Sequence, residues 1–235
     1  MDSVTMTGNY EEIAKLVGVL AHEIKNPLST ILLNMELLAE DFGADPDNPL
    51  FRRASKRVLT VQRECERLRL LLEDFLNFTR VRTLNIESVD INLLIQEIVD
   101  FYRPRAEDAG IEILSFLASN LPTVRIDREM LRRALWNLML NAEQAMPNGG
   151  QLVIATSITT SGIALELIDT GCGIDETIRS KIFETFYSTK RDGTGLGLPM
   201  TRRIIEAFHG HILVESERGK GTKFTIELPT PPRIA

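Results

Sequence analysis

Apolar residues recur every three or four positions through residues 13–38 and again through 58–76. This spacing places them on one face of an α-helix. Between the two stretches, residues 42–49 are rich in Gly, Asp, Asn and Pro, which is typical of a loop. We therefore predict two amphipathic helices that form an antiparallel hairpin within residues 1–83. Because two helices alone cannot cover both apolar stripes, we expect a second copy to complete a dimeric four-helix bundle.

From about residue 84 the pattern alternates between period-two and helical stretches. The predicted strands are 85–89, 111–116, 151–157, 162–168, 211–215 and 222–228, and the predicted helices are 92–109, 127–146 and 198–208. This mixed order, with a hairpin-like pair of strands in its middle, predicts an α/β sandwich of one sheet and one helical layer over residues 84–235. The fold class is therefore α+β.

Composition narrows the class of protein. The chain has 235 residues, of which 43% are hydrophobic and 26% charged, and these fractions are typical of soluble globular domains. Its net charge of −6 does not favour a nucleic-acid partner, which needs clustered cations. No apolar run approaches the ~20 residues of a membrane-spanning helix. Two cysteines without zinc-ligand spacing favour a reduced, intracellular compartment.

Polar residues at special positions suggest a binding site for a nucleotide. Asn137 and Asn141 share one face of a predicted helix, and their amide oxygens are hard ligands that suit Mg²⁺. Asp169 directly follows a predicted strand, where its carboxylate can accept a hydrogen bond from an amine such as that of adenine. Gly171 and Gly173 allow a ligand to approach the backbone closely.

A third segment, Gly193-Thr-Gly195-Leu-Gly197, opens a predicted helix whose backbone N–H groups can bind phosphate. Each segment alone is weak, because paired asparagines are usually solvated and a Gly-x-Gly-x-Gly run is usually a loop. Their order and spacing together are much more specific. The Gly-x-x-x-x-Gly-Lys-Ser/Thr motif is missing, which excludes a P-loop protein.

Taken together, these segments resemble the catalytic core of a two-component sensor histidine kinase, most similar to the nitrogen-regulation type. The residues Ala21-His22-Glu23-Ile24-Lys25-Asn26-Pro27-Leu28 resemble the phosphoacceptor box of this family. The other resemblances are 137–141 to its asparagine box, 169–173 and 193–197 to its two main glycine boxes, 182–190 to its phenylalanine box and 219–224 to its last glycine box. Six motifs in family order cover residues from about 10 to 228.

The resemblance implies a helical phosphotransfer and dimerisation domain followed by a Bergerat-type ATP-binding domain, with ATP and Mg²⁺ as cofactors. It implies that Asn141 holds Mg²⁺, that Asn137 supports the metal or the phosphates, and that Asp169 and Thr222 bind adenine. The remaining implied ATP-binding residues are Gly171, Gly173, Lys190, Gly193, Thr194, Gly195, Leu196 and Gly197. Its expected partners are a second copy and the receiver domain of a response regulator. We expect a cytoplasmic location, for this chain or for a longer sensor protein of which it is part.

The helical pattern supports a role for His22. This histidine lies two residues from apolar stripe positions on either side, so it points away from the stripe and shares an exposed face with Asn26. Pro27 disturbs the backbone hydrogen bonding one turn later and loosens the helix there. His22 would attack the γ-phosphoryl group of ATP while Glu23 accepts the imidazole proton. The resemblance suggests that Asn26 orients a water for the reverse activity, dephosphorylation of the receiver.

Three other functions compete with a histidine kinase. A GHKL-type ATPase of the gyrase, mismatch-repair or chaperone kind carries a water-activating Glu four residues before the metal-binding Asn, where this chain has Asn137. A nucleotide-sensing pseudokinase scaffold would lack catalytic side chains, which are present here. A kinase acting on protein serine is disfavoured by the proline in the histidine helix.

Overall fold

Two long helices form the N-terminal part of the chain, in agreement with its apolar spacing. The computed structural model describes residues 24, 26, 28–40, 49–79, 84–190 and 194–230. Within these, residues 28–40 form helix α1 and Pro49–Thr79 forms helix α2. Pro49 was expected to lie in the loop but opens α2, because a fixed φ and a missing N–H suit the first helical turn.

Much of the apolar stripe on these helices remains exposed in the single chain. Ile24, which belongs to the predicted apolar stripe, is 48% exposed in the single chain. The other large exposed hydrophobic residues of this part are Ile31, Leu33, Leu37, Leu38, Leu50, Leu59, Val61 and Leu68. Leu28, Val58 and Cys65 are buried. The physical reason is geometric, since one pair of helices leaves part of each amphipathic face uncovered.

Within residues 84–190 and 194–230, seven strands build the second part of the chain. They are β1 (Glu87–Val89), β2 (Ile111–Phe116), β3 (Val124–Ile126), β4 (Gly150–Ile158), β5 (Gly162–Asp169), β6 (His211–Glu217) and β7 (Gly221–Pro229). Five of them form one sheet in the order β2-β4-β5-β7-β6, in which β2 and β4 are parallel and the other pairs antiparallel. The predicted strand pair in the middle of this region is the β4–β5 pair.

A second, two-stranded antiparallel sheet of β1 and β3 departs from the single sheet that we predicted. Strand β3 was missed because three residues are too few to show a period-two alternation. Its backbone partners come from β1, where Glu87 lies opposite Ile126, 39 residues later in the sequence. Pairing between such distant segments cannot be read from local sequence.

The helices of this part are α3 (Ile91–Asp108), α4 (Arg128–Ala145), α5 (Glu176–Arg179) and α6 (Gly197–Ala207). Asp90 and Asp127 cap α3 and α4, because their side chains accept the N–H groups of Leu93 and Met130. The predicted bounds of α3, α4 and α6 each differ from the observed bounds by one residue at either end. The short helix α5 was not predicted.

A continuous apolar core lies between the five-stranded sheet and helices α3, α4 and α6. Fully buried members include Ile95 of α3, Leu138 of α4, Leu165 of β5 and Ile205 of α6. Truncating one such side chain to alanine costs about 2–5 kcal/mol of stability. This core fixes α4 and α6 against the sheet, and these two helices carry several of the predicted site residues.

The described residues fall into two compact units. One comprises those within Met1–Arg82 together with Thr189–Leu196, and the other comprises those within Thr83–Ser188 and Gly197–Ala235. The domain boundary between residues 83 and 84 stays a prediction. Across the described ranges, every helix is too short or too polar to cross a bilayer.

Candidate functional site

The middle of helix α4 is tied to the first turn of α6 by a short chain of hydrogen bonds. Nδ2 of Asn137 donates to Oγ1 of Thr201 at 2.9 Å, and this hydroxyl donates to the carbonyl of Gly197 at 3.1 Å. Thr201 is 1% exposed, while Asn137 is half-buried. Asn137 therefore lies beside the segment that the sequence predicts to bind phosphate.

The C-terminal end of α4 is tied to the loop after β5. The N–H of Cys172 donates to the carbonyl of Ala145 at 3.0 Å. A Cβ on Gly171 would come within 2.7 Å of both Cβ and the carbonyl oxygen of Ala145, so a glycine is needed at this crossing. Residues 137, 141 and 145 are spaced by four and share one helix face. Asn141, which is half-buried, thus lies one turn from each of the two attachments.

Asp169 is the last residue of β5 and is 5% exposed, whereas the sequence pattern placed it just after the strand. Its Oδ1 accepts the backbone N–H of Gly171 at 2.9 Å and that of Thr222 at 3.2 Å. Thr222 is its direct partner in the β5–β7 ladder. Two donors on one oxygen fix the orientation of the carboxylate, as a recognition group requires.

The hydroxyl of Thr222 is oriented by Ser216, which sequence reasoning missed. Oγ of Ser216 donates to the carbonyl of Gly221 at 2.8 Å and accepts the N–H of Ile174 at 2.8 Å. Its distance to Oγ1 of Thr222 is 3.0 Å. Because the single hydrogen of Ser216 is directed to a carbonyl, Thr222 donates in this contact. The motif Ser-x-x-x-x-Gly-Thr gave no sign that the two hydroxyl groups meet.

The loop after β5 packs against the turn between β6 and β7. The φ of Gly173 is 67°, and a Cβ there would lie 2.1 Å from the carbonyl oxygen of Glu217. The N–H of Gly219 donates to the carbonyl of Cys172 at 2.8 Å. Both the left-handed backbone and the lack of space require glycine at position 173.

Seven of the predicted ATP-binding residues lie in the α/β unit, and the hydrogen bonds above connect their surroundings. They are Asn137, Asn141, Asp169, Gly171, Gly173, Gly197 and Thr222. Lys190, Thr194, Gly195 and Leu196 belong instead to the unit that contains α1 and α2. The predicted residues His22, Glu23 and Gly193 lie outside the described residues.

Asn26, the remaining predicted residue, is helical and exposed. The hydroxyl of Thr30 donates to its backbone carbonyl at 3.2 Å. Asn34 lies two turns further along the same helix and is also exposed, and its Nδ2 donates to the carbonyl of Thr30 at 2.8 Å. The two asparagines therefore form a matched pair for substitution.

A charged cluster anchors α4 to α3 close to the paired asparagines. Nε of Arg105 donates to Oε2 of Glu143 at 2.7 Å, and the hydroxyl of buried Tyr102 donates to the same oxygen. The hydrogen bond from Arg105 holds the pKa of Glu143 below its ordinary value, and burial raises the pKa of Tyr102. These partners give the cluster a role in holding the helix that carries Asn141.

The donor set at this site suits one kind of metal ion. Within the described ranges, His, Cys, Asp and Glu side chains form no cluster of three or more that could hold a metal. The predicted ligand is the neutral amide oxygen of Asn141. Mg²⁺ commonly keeps several waters and binds through one or two protein groups and the phosphates of its substrate, so a sparse set of this kind fits it.

Two family models match the chain. The His Kinase A (phospho-acceptor) domain matches residues 12–84. The family described as histidine kinase-, DNA gyrase B- and HSP90-like ATPase matches residues 126–232. The first range contains the predicted phosphoacceptor box, and the second contains all the predicted nucleotide motifs.

Relatives that match more than nine-tenths of this chain are found among curated proteins and solved structures. The signal transduction histidine-protein kinase AtoS of Escherichia coli is 33% identical over 222 residues, which cover 94% of this chain and 35% of AtoS. The structure of full-length ShkA with AMPPNP has a TM-score of 0.71 at 30% identity, covering 92% of this chain and 45% of ShkA. The structure of histidine kinase ThkA in complex with the response regulator protein TrrA has a TM-score of 0.67 at 26% identity. The match covers 94% of this chain and 63% of the matched chain. The chain thus spans about a third of the length of AtoS.

Proposed function

This chain is the catalytic core of a two-component sensor histidine kinase, and we propose that it transfers the γ-phosphoryl group of ATP to its own His22. The observation that carries the proposal is the buried carboxylate of Asp169, which two backbone N–H groups hold in place beside Thr222. A histidine box in the other predicted domain supplies the acceptor. The nitrogen-regulation subtype and the cytoplasmic location remain predictions.

Asp169 and Thr222 form the proposed adenine subsite. A carboxylate can accept a hydrogen bond from the exocyclic amine of adenine, but it repels the carbonyl oxygen that guanine carries at the same ring position. Thr222 lies opposite in the ladder, and Ser216 restrains its hydroxyl. The phosphates would then extend toward α4 and the start of α6, where Asn141 and Gly197 lie. Backbone N–H groups at a helix start favour such anions.

We assign the binding of Mg²⁺ to Asn141, with Asn137 in support. When bound, the ion neutralises charge on the phosphates during transfer. Asn141 presents a side chain to the same helix face as Asn137 and Ala145, between the two attachments of α4 described above. The resemblance also assigns nucleotide binding to Lys190, Gly193, Thr194, Gly195 and Leu196, and these assignments are part of the proposal.

The chemical step moves one phosphoryl group and one proton. A ring nitrogen of neutral His22 forms a bond to the γ-phosphorus while the bond from this phosphorus to the β,γ-bridging oxygen breaks, and ADP leaves. Glu23 accepts the proton from the other ring nitrogen and makes the first a better nucleophile. The phosphohistidine is then a donor to an aspartate of a response regulator. The complex of the relative ThkA with TrrA supports such a partner.

A homodimer is part of the proposal. The exposed apolar residues of α1 and α2 supply the surface that a second copy would cover, as in a four-helix bundle. The match to the phospho-acceptor domain supports the same arrangement.

Transfer of label from γ-labelled ATP tests the site of phosphorylation. We expect acid-labile label on the wild-type chain and none on His22→Gln. His211→Gln is the matched control, since His211 is exposed at the start of β6 and should leave labelling unchanged. Label that persists in His22→Gln, or label stable to acid, contradicts the proposed acceptor.

The reverse activity, dephosphorylation of the receiver, is proposed to need Asn26. Asn26→Ala should keep autophosphorylation but slow the loss of phosphate from a phosphorylated receiver. Asn34→Ala provides the control, because it removes an exposed amide from the same helix. Equal dephosphorylation rates for both variants would remove the water-orienting role of Asn26.

A further inference from the structure

Thr201 is a polar residue in an otherwise apolar helix face. It is 1% exposed, and the neighbouring residues Pro199, Ile204 and Ile205 of α6 are buried as well. A valine has nearly the same shape and would suit such a position without a hydroxyl to satisfy. The hydroxyl of Thr201 has partners on both sides, the amide of Asn137 and the carbonyl of Gly197.

The two hydrogen bonds have a fixed direction. The carbonyl of Gly197 can only accept, so the single hydrogen of the Thr201 hydroxyl is directed to it. The contact with Asn137 must then receive its hydrogen from Nδ2. With the amide turned by 180°, Oδ1 would face the lone pairs of Thr201 without a hydrogen between them. The network therefore decides which end of the amide faces Thr201.

The same hydrogen bonds determine where the other end of the Asn137 amide, its Oδ1, lies. Oδ1 of Asn137 lies 2.3 Å from the position that a Cβ on Gly197 would occupy, which puts this oxygen against the first residue of α6. An acceptor oxygen at that place can face a cation or a metal-bound water. An NH₂ group there would instead face a phosphate oxygen.

We propose that Thr201 is a positioning residue that holds the amide of Asn137 with Oδ1 toward the start of α6, so that Asn137 serves the Mg²⁺ ion rather than the phosphates. This inference rests on the proposed nucleotide site. It selects one of the two roles that the sequence leaves open for Asn137. Thr201 itself acts through Asn137 and needs no contact with the nucleotide.

Calorimetric titration of the full chain with AMPPNP, in excess Mg²⁺ and in EDTA, tests the proposal. Thr201→Val removes the hydroxyl at constant shape, and we expect about tenfold weaker binding with Mg²⁺, the loss of about one hydrogen bond. Binding in EDTA should change less than about twofold. Thr201→Ser keeps the hydroxyl and should match the wild type in both conditions.

A double-mutant cycle separates positioning from a general structural effect. In an Asn137→Ala background, Thr201→Val should add less than about twofold to the loss, because the residue through which Thr201 acts is gone. Equal weakening with and without Mg²⁺, or a full effect of Thr201→Val in the Asn137→Ala background, would overturn the proposal. A wild-type chain that binds no AMPPNP overturns the proposed function instead.

The wild-type chain offers a second test that does not depend on a variant folding. Hydrogen exchange of side-chain amides by NMR should show one slowly exchanging Nδ2 proton on Asn137, which is the proton directed to Thr201. The exposed amide of Asn148 is the comparison and should exchange fast. Equally fast exchange at Asn137 would contradict the assigned direction of the hydrogen bond.

Discussion

Asp169 and Thr222 are paired across the β5–β7 ladder, and the backbone N–H of Thr222 donates to Oδ1 of Asp169 at 3.2 Å. The two residues are 53 positions apart in sequence, and the sheet alone brings them together. The same oxygen also accepts the N–H of Gly171, so the carboxylate has one fixed orientation. An oriented, buried carboxylate is suited to recognise an amine, and this relationship underlies the proposed adenine subsite.

Asp169→Asn should weaken nucleotide binding while the fold is kept. The amide oxygen of asparagine can still accept both backbone N–H groups, but its NH₂ group replaces an acceptor that the adenine amine needs. We expect at least about a tenfold loss of ADP affinity by calorimetry. Asp100→Asn, at an exposed carboxylate of α3, is the control for the loss of charge. Unchanged affinity in Asp169→Asn would remove this residue from the adenine subsite.

Gly197→Ala should lower autophosphorylation with little loss of stability. The new Cβ would meet Oδ1 of Asn137 at 2.3 Å, which is the end of a side chain that can turn away and break its bond to Thr201. Alanine also has a helix propensity about 1 kcal/mol better than that of glycine, and this offsets the contact. The check is the rate of labelling from γ-labelled ATP together with the melting temperature.

The comparison for that variant is Gly171→Ala, where the new Cβ meets backbone. It would lie 2.7 Å from the carbonyl oxygen of Ala145, which cannot move without shifting the end of α4. We expect a lower melting temperature and weaker nucleotide binding together. Two results would contradict this difference between a contact with a side chain and a contact with backbone. One is a Gly197→Ala variant with a melting temperature as low as that of Gly171→Ala, and the other is autophosphorylation of Gly197→Ala at the wild-type rate.

The stability that Glu143 contributes should depend on pH. Its hydrogen bond with Arg105 depresses its pKa below the ordinary value of 4.5, so the contribution is complete above that pH and is lost as the pH falls through the lower, folded-state pKa. Glu143→Gln should therefore cost about 1 kcal/mol at neutral pH and much less at an acidic pH below the folded-state pKa. Urea unfolding at both pH values measures the difference.

Glu107→Gln provides the control for that measurement, since Glu107 is an exposed carboxylate of α3. Its effect on the free energy of unfolding should be small at both pH values. A Glu143→Gln variant whose loss of stability is the same at both pH values would show that the charge of Glu143 is unimportant.

Leu37→Glu should disrupt the proposed homodimer. Leu37 is 53% exposed in the single chain, and a carboxylate there could not be buried against a second copy without a large desolvation cost. We expect dissociation at a concentration at least about tenfold higher than for the wild type, by light scattering after size exclusion. Leu213→Glu is the matched control, because Leu213 of β6 is also 53% exposed. Equal dimer stability in the two variants would contradict a dimer through the helices.

Local signals in the sequence determined much of the fold. The bounds of α3, α4, α6 and of strands β2, β4 and β5 were predicted to within one residue, because the apolar spacing that marks these elements acts over a few neighbouring residues. The order of six motifs likewise indicated the family. Local signals do not reach further than this. Strand β3 was missed because its partner β1 is distant in sequence, and the cover of Ile24 depends on another chain.

The hydrogen-bonded pairs of the site were decided by the tertiary structure. Asn137 meets Thr201 across 64 residues, and Ser216 meets Ile174 across 42. In the sequence, Thr201 is a helix residue and Ser216 a strand residue with no visible partner. Which hydroxyl meets which amide depends on how α4, α6 and the sheet pack, and packing sums many weak contacts that no short motif encodes. The sequence thus determined which chemical groups this protein has, and the packed core determined how they are oriented.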